Sequence, residues 1–210
     1  IANNVAVPNG VAMISPSATS PALSTIADNG YFFRTAPSDA RQGQILAEIT
    51  IERGINNVAV TYINNDYGKG LSDSFINAYK GLGGKVSAVV PHEADKADFS
   101  AEVATLDASG AEVLAVFGYV DQGGNHIIQG SLDSGSFDKF ILADGMYGES
   151  LLKNMEGDLT GTFGTVPGTD SKGSETFKGM AQSAGITVGG PFTGESYDAA
   201  ALLMLAMQSA

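Results

Sequence analysis

The side chains best suited to chemistry in this chain stand directly after short apolar runs. Ser17, Ala18 and Thr19 follow VAMIS (11–15), and Asn64, Asn65, Asp66 and Tyr67 follow VAVTY (58–62). Gly118, Tyr119 and Asp121 follow VLAVF (113–117), and Asp144, Gly145, Met146 and Tyr147 follow KFILA (139–143). The set is rich in hydroxyls, tyrosines and single carboxylates, a composition that suits binding better than bond breaking. Ser17–Thr19 lies between Pro16 and Pro21, ahead of a short helical stretch at 22–27. Backbone N–H groups at a helix start, with a hydroxyl beside them, can hold a carboxylate; the same residues would equally serve as a plain helix cap. Asp144 can pair with a cation or cap a turn. Tyr67 and Tyr119 offer flat apolar walls with a polar tip.

Other chemistries find little support. Gly68-Lys69-Gly70 lacks the glycine spacing and the Ser/Thr of a phosphate-binding loop, and Gly81-Leu82-Gly83-Gly84 reads as a helix stop. No G-x-S-x-G nucleophile elbow occurs. His92 stands among Glu93, Asp95 and Asp98, a set that suggests either a metal site or, better, a solvated acidic loop. With no cysteine, disulfides, thiolate zinc sites and cysteine nucleophiles are excluded. No cofactor is called for. The net charge of −12 leaves no basic run to neutralise phosphates, which argues against a nucleic-acid partner. In 210 residues that are 43% hydrophobic there is material for a real core, in one or two domains.

The elements that must position these residues follow from periodicity. The runs at 58–62, 86–90, 113–117 and 139–143 start 28, 27 and 26 residues apart, the length of a βα unit. They therefore predict parallel strands with right-handed helical crossovers. Their unbroken apolar character fits strands covered on both faces. A helix is expected from an N-cap at Ser38 to a stop at Gly54. Another follows the stripe Leu71, Phe75, Ala78, Tyr79 and Leu82, and a third follows Phe99, Val103 and Leu106. VAMIS supplies one further strand. Pro167, Gly168, Thr169, Asp170 and Ser171 read as a linker, and helical patterns resume at 175–184 and from Tyr197. The fold class is α/β, with parallel sheets flanked by helices. In such sheets ligands bind beyond the carboxyl ends of the strands, where the residues named first stand.

Seven stretches, in order, carry a family resemblance: ISPSATSPAL (14–23), YFFRTAPSDARQG (31–43), NNDYGKGL (64–71), KADFSAEVATL (96–106), FGYVDQGG (117–124), ADGMYGESLL (143–152) and ESYDAAALL (195–203). With these the chain resembles the type I periplasmic solute-binding proteins of the leucine/isoleucine/valine-binding branch, which serve ABC transporters. The resemblance implies two α/β lobes closing on a small ligand, with 1–35 and 168–210 in one lobe and 36–167 in the other. It implies that Ser17, Ala18 and Thr19 hold a ligand α-carboxylate, that Tyr67 and Tyr119 line the ligand, and that Asp144 meets the α-ammonium. Branched-chain binders look to carry glutamate where this chain has Asp144. The family's opening and closing segments are absent from the sequence, so the first lobe is expected to be partial, with an exposed sheet edge or apolar face. The expected function is capture of an amino acid for an ABC permease, outside the cytoplasm and without catalysis. A ligand-sensing receptor ectodomain on the same fold, or an α/β enzyme with a site assembled from loops, are the alternatives.

Overall fold

The computed structural model describes residues 1–94, 96–153, 155–168 and 171–210. The chain forms two compact units, residues 1–38 with 167–210, and residues 39–166.

In the first unit, residues 2–9 wind into two short helical turns that end at Gly10 in the left-handed region. Strand β1 (Met13–Ser15) pairs in parallel with β2 (Phe32–Arg34), with Met13 opposite Phe32. The single strand expected here thus has a partner. Its three-residue signal, inside the run Tyr31-Phe32-Phe33, is too short to register as a period. The helix expected at 22–27 is a one-turn 3-10 helix, Pro21–Ser24. Pro21 presets its entry, and Thr25 leaves helical geometry at φ −129°.

The second unit is a five-stranded, all-parallel sheet. In chain order it contains α1 (Asp39–Glu52), β3 (Asn57–Ile63), α2 (Asp66–Gly81), β4 (Lys85–His92), α3 (Ser100–Asp107) and β5 (Val113–Phe117). After these come α4 (Asn125–Ser134), β6 (Phe140–Leu142), α5 (Glu149–Lys153) and β7 (Phe163–Gly164). The four expected strands are β3 to β6, and the three expected helices are α1, α2 and α3. The spatial order is β4-β3-β5-β6-β7. Alternation along the strands explains their unbroken apolar runs. Val58, Val60, Val113, Ala115 and Phe117 pack with Leu46, Leu71, Phe75 and Tyr79 of α1 and α2. Ala59, Leu114 and Val116 face the other way, against Val103, Leu106, Ile127 and Ile128 of α3 and α4. Strands β3 and β5 therefore bury both of their faces, whereas β4, at the sheet edge, leaves most of its residues half-buried or exposed, so the expectation of cover on both faces fails there. On the α1/α2 side the helices meet closely because Gly43 has no side chain: a Cβ there would stand 2.6 Å from the Phe75 backbone nitrogen and 2.7 Å from Ser74 Cβ.

The chain then returns to the first unit through α6 (Lys172–Ser183), capped by Ser171, whose side chain accepts from the Ser174 N–H at 3.1 Å, and through α7 (Thr193–Ser209). Phe177 and Tyr197 bring these helices together, their ring centres 5.1 Å apart. Of the expected linker, Thr169 and Asp170 lie outside the described residues. Among the described residues no helix is long and apolar enough to cross a membrane.

Candidate functional site

In the second unit the chain runs from β3 outward to β4, then crosses back over β3 to β5, β6 and β7. Strand order reverses between β3 and β5. Loops leaving neighbouring strands in opposite directions open a crevice at their carboxyl ends. Tyr67, in the first turn of α2, and Tyr119, two residues after β5, meet at this point with ring centres 5.0 Å apart and planes 25° from parallel. The entry of α2 is set by Asn65, whose side chain accepts from the Gly68 N–H at 2.9 Å. Asp144, two residues beyond β6, joins them: the Tyr67 hydroxyl donates to Asp144 Oδ1 at 3.1 Å and accepts from the Gly145 N–H at 3.2 Å. The approach requires glycine at 145. A Cβ there would collide with the Gly118 carbonyl and stand 2.9 Å from the Tyr119 ring.

Two further residues complete this cluster. Asp39 and Gln42 lie in the first turn of α1, and a helix that precedes a parallel strand begins at that strand's carboxyl end. Gln42 Nε2 donates to Asp144 Oδ1 at 2.9 Å and to the Thr165 carbonyl at 3.1 Å. Asp39 is fully buried. Asp39 and Gln42 precede their strand by a whole helix, so the sequence expectation for the site does not include them; the tract PSDARQG at the start of an expected helix is the signal that could have found them.

Burial and negative charge dominate the electrostatics of this cluster. Burial pushes the Asp144 carboxyl up, while hydrogen bonds from Gln42 and Tyr67 pull it down. Burial, then the negative charge of Asp144 and Asp39, pushes the Tyr67 hydroxyl far up, so it remains a donor. Tyr119 is raised by the same three causes in the same order. The cluster holds two carboxylates, two phenols and an amide, and among the described residues no basic side chain hydrogen-bonds Asp144.

Ser17, Ala18 and Thr19 belong to the first unit. The Ser17 and Ala18 N–H groups point at Ser15 Oγ, 3.4 and 3.1 Å away. Thr19 is buried. Arg34, on β2, shapes this loop: Nη1 donates to the carbonyls of Ala18 (3.2 Å) and Ser20 (2.8 Å), and Nη2 to Ser24 Oγ (2.6 Å). Among the described residues no carboxylate pairs with Arg34. Arg34 was not anticipated from the sequence.

The acidic-loop reading of His92 is corrected. His92 closes β4 and is buried, its Nδ1 2.9 Å from Thr61 Oγ1 and its ring edge-on to Phe99. Asp98 instead accepts from the N–H and hydroxyl of Ser100 at 2.9 and 3.0 Å. Asp95 lies outside the described residues, and among the described residues no group of three or more His, Cys, Asp or Glu is placed to hold a metal.

Comparison with known proteins agrees with this architecture. Leu/Ile/Val-binding protein homolog 3 of Brucella melitensis is 38% identical over 136 residues, 59% of this chain and 36% of that protein. Among solved structures, a leucine binding protein of Thermotoga maritima superposes with a TM-score of 0.80 at 21% identity, covering 98% of this chain and 59% of that one. An ABC transporter solute binding protein of Rhodopseudomonas palustris, in complex with p-hydroxybenzoic acid, gives 0.74 at 17% identity, covering 95% and 56%. The chain thus spans less than two thirds of the length of each. A family model described as periplasmic binding protein matches residues 2–210. This chain belongs to the periplasmic binding protein family, whose members are solute-binding proteins and not enzymes.

Proposed function

We propose that the protein captures an α-amino acid, branched-chain or related, between two lobes and delivers it to the membrane permease of an ABC importer, outside the cytoplasm. Residues 36–167 form one lobe in this reading, and 1–35 with 168–210 contribute part of the other. The observation that carries it is Asp144: a buried carboxylate near the strand-order reversal, hydrogen-bonded by Gln42 and Tyr67 and paired with no cation among the described residues. Asp144 meets the ligand ammonium, the stacked Tyr67 and Tyr119 line its side, and Ser17, Ala18 and Thr19 receive its carboxylate over the positive charge of Arg34. For Ser17 and Ala18 this means that the ligand takes over N–H groups now turned toward Ser15 Oγ. A zwitterion then finds a negative partner at one end and donors at the other.

The test is calorimetric titration with L-leucine. Asp144→Ala weakens binding by about 2–5 kcal/mol, the cost of removing one partner of a desolvated charge pair. Thr19→Val weakens it by about 1.5–3 kcal/mol, the range for a hydrogen bond to a charged group. Leucine binding unchanged in Asp144→Ala would sink the assignment.

A further inference from the structure

Gln42 is held in one orientation. Its Nε2 faces two acceptors, Asp144 Oδ1 and the Thr165 carbonyl, and the flipped amide would set an oxygen against both. Its Oε1 is buried and meets no partner among the described residues. Buried polar atoms in folded proteins are nearly always hydrogen-bonded, so an amide kept half-satisfied points to a demand on its other half. That demand is visible: both side-chain donors that reach Asp144, the Gln42 amide and the Tyr67 hydroxyl, converge on Oδ1. Neither reaches Oδ2.

We propose that Gln42 is a positioning residue that holds Asp144 ionised, with one oxygen committed to the protein and the other presented to a ligand ammonium, so that the site selects amino acids over des-amino carboxylates of the same shape. This rests on the amino-acid reading above. A buried carboxylate tends to take up a proton, and donors to its charged form oppose that tendency. The titratable groups around Asp144 are Tyr67 on α2, Tyr119 after β5 and Asp39 on α1. The tyrosines remain neutral, both raised by burial and by the charges of Asp144 and Asp39. A ligand with a carboxylate but no amine brings nothing to neutralise Asp144. Its transfer into the cleft leaves a charge desolvated without a partner.

The experiment needs no ligand for its first half. In Gln42→Met, which keeps bulk and removes both donor and acceptor, the Asp144 carboxyl resonance followed by carbon-13 NMR titrates about one pH unit higher than in the wild-type protein, a tenfold change in proton affinity. Gln42→Glu, nearly isosteric, shifts it further in the same direction and keeps the test available if the methionine variant does not fold. In the second half, the preference for L-leucine over 4-methylpentanoate falls at least about tenfold in Gln42→Met, and the loss in leucine affinity deepens as pH is lowered, as competition by a proton at Asp144 requires. An unmoved Asp144 midpoint in both variants overturns the positioning role, whatever leucine does. A shifted midpoint in a protein that does not bind leucine retains the positioning role and overturns the amino-acid reading instead.

Discussion

His92 shows how a single side chain ties the fold to solution conditions. Its Nδ1 is engaged by Thr61, and its Nε2 is buried against Gly118, one residue before the stacked Tyr119, and meets no partner among the described residues. Burial lowers its pKa from 6.5 to about 4, against the opposing charges of Glu102 and Glu93. An unfolded chain therefore binds more protons than the folded one between these two values, and stability rises with pH across that window. The contribution is complete above pH 6.5 and is lost as pH falls toward 4. Its size is on the order of 2 kcal/mol, less than the full shift implies, because the imidazole stands near a solvated edge with carboxylates. Urea midpoints measured from pH 7 to pH 4 should fall in the wild-type protein, and that fall should be shallower in His92→Asn. Asp144 contributes with opposite sign: its raised carboxyl binds its proton more readily folded than unfolded, so it costs stability as pH rises. Parallel slopes for wild-type and His92→Asn would refute the assignment to His92. At this scale much of the site was legible, because side chains after a parallel strand must emerge at one edge. Gln42 and Asp39 were not, because they precede their strand by a whole helix and reach the same edge from its other end.

Among elements, α1 and α2 approach closely at Gly43. Gly43→Ala adds a methyl group whose neighbours would be backbone and Cβ atoms of α2 that cannot turn aside. Alanine favours a helix over glycine by about 1 kcal/mol, while overpacking costs typically about 1–3 kcal/mol. With the neighbours fixed, overpacking wins, and Gly43→Ala is expected to lose about 1–2 kcal/mol in chemical denaturation; a gain in stability would show that the two helices can separate freely. Since α1 carries Gln42 and α2 carries Tyr67, such a separation also loosens the donors to Asp144, and leucine affinity should weaken with it. The long apolar runs of β3 and β5 were plain in the sequence, as were α1, α2 and α3. Strands β2 and β7, of three and two residues, were not. So short an element is defined by the strand it pairs with and not by its own pattern.

The two units differ in how fully they cover themselves. In the second, both sheet faces carry helices and the central strands are sealed. In the first, every residue of β1 and β2 retains some exposure, and α7 presents Leu202, Leu205 and Met207 at 53%, 62% and 73% exposure. We take this unit to be the partial lobe, whose apolar surface a longer chain of this family would cover. Local stability should follow coverage. Amide exchange in β3 and β5 is expected to be the slowest in the molecule, with β1, β2 and α7 faster by about a hundredfold, an opening free energy lower by roughly 3 kcal/mol. Equal protection in the two units would remove the partial-lobe reading.

The sequence by itself determined what depends on neighbours along the chain. Apolar runs at a βα spacing made the class α/β, seven ordered stretches carried the family, and the residues after each run placed Tyr67, Tyr119 and Asp144 at one edge of a sheet. What only tertiary structure decided is the order in which strands lie side by side. Parallel pairing is set by surfaces that meet after long crossovers and leaves no local period to read. The order β4-β3-β5-β6-β7 puts the reversal between β3 and β5 and brings the two tyrosines into contact. It also sets the start of α1 over the end of β6, so that Gln42 meets Asp144, and it buries His92 at a strand end where its acidic neighbours in sequence suggested water.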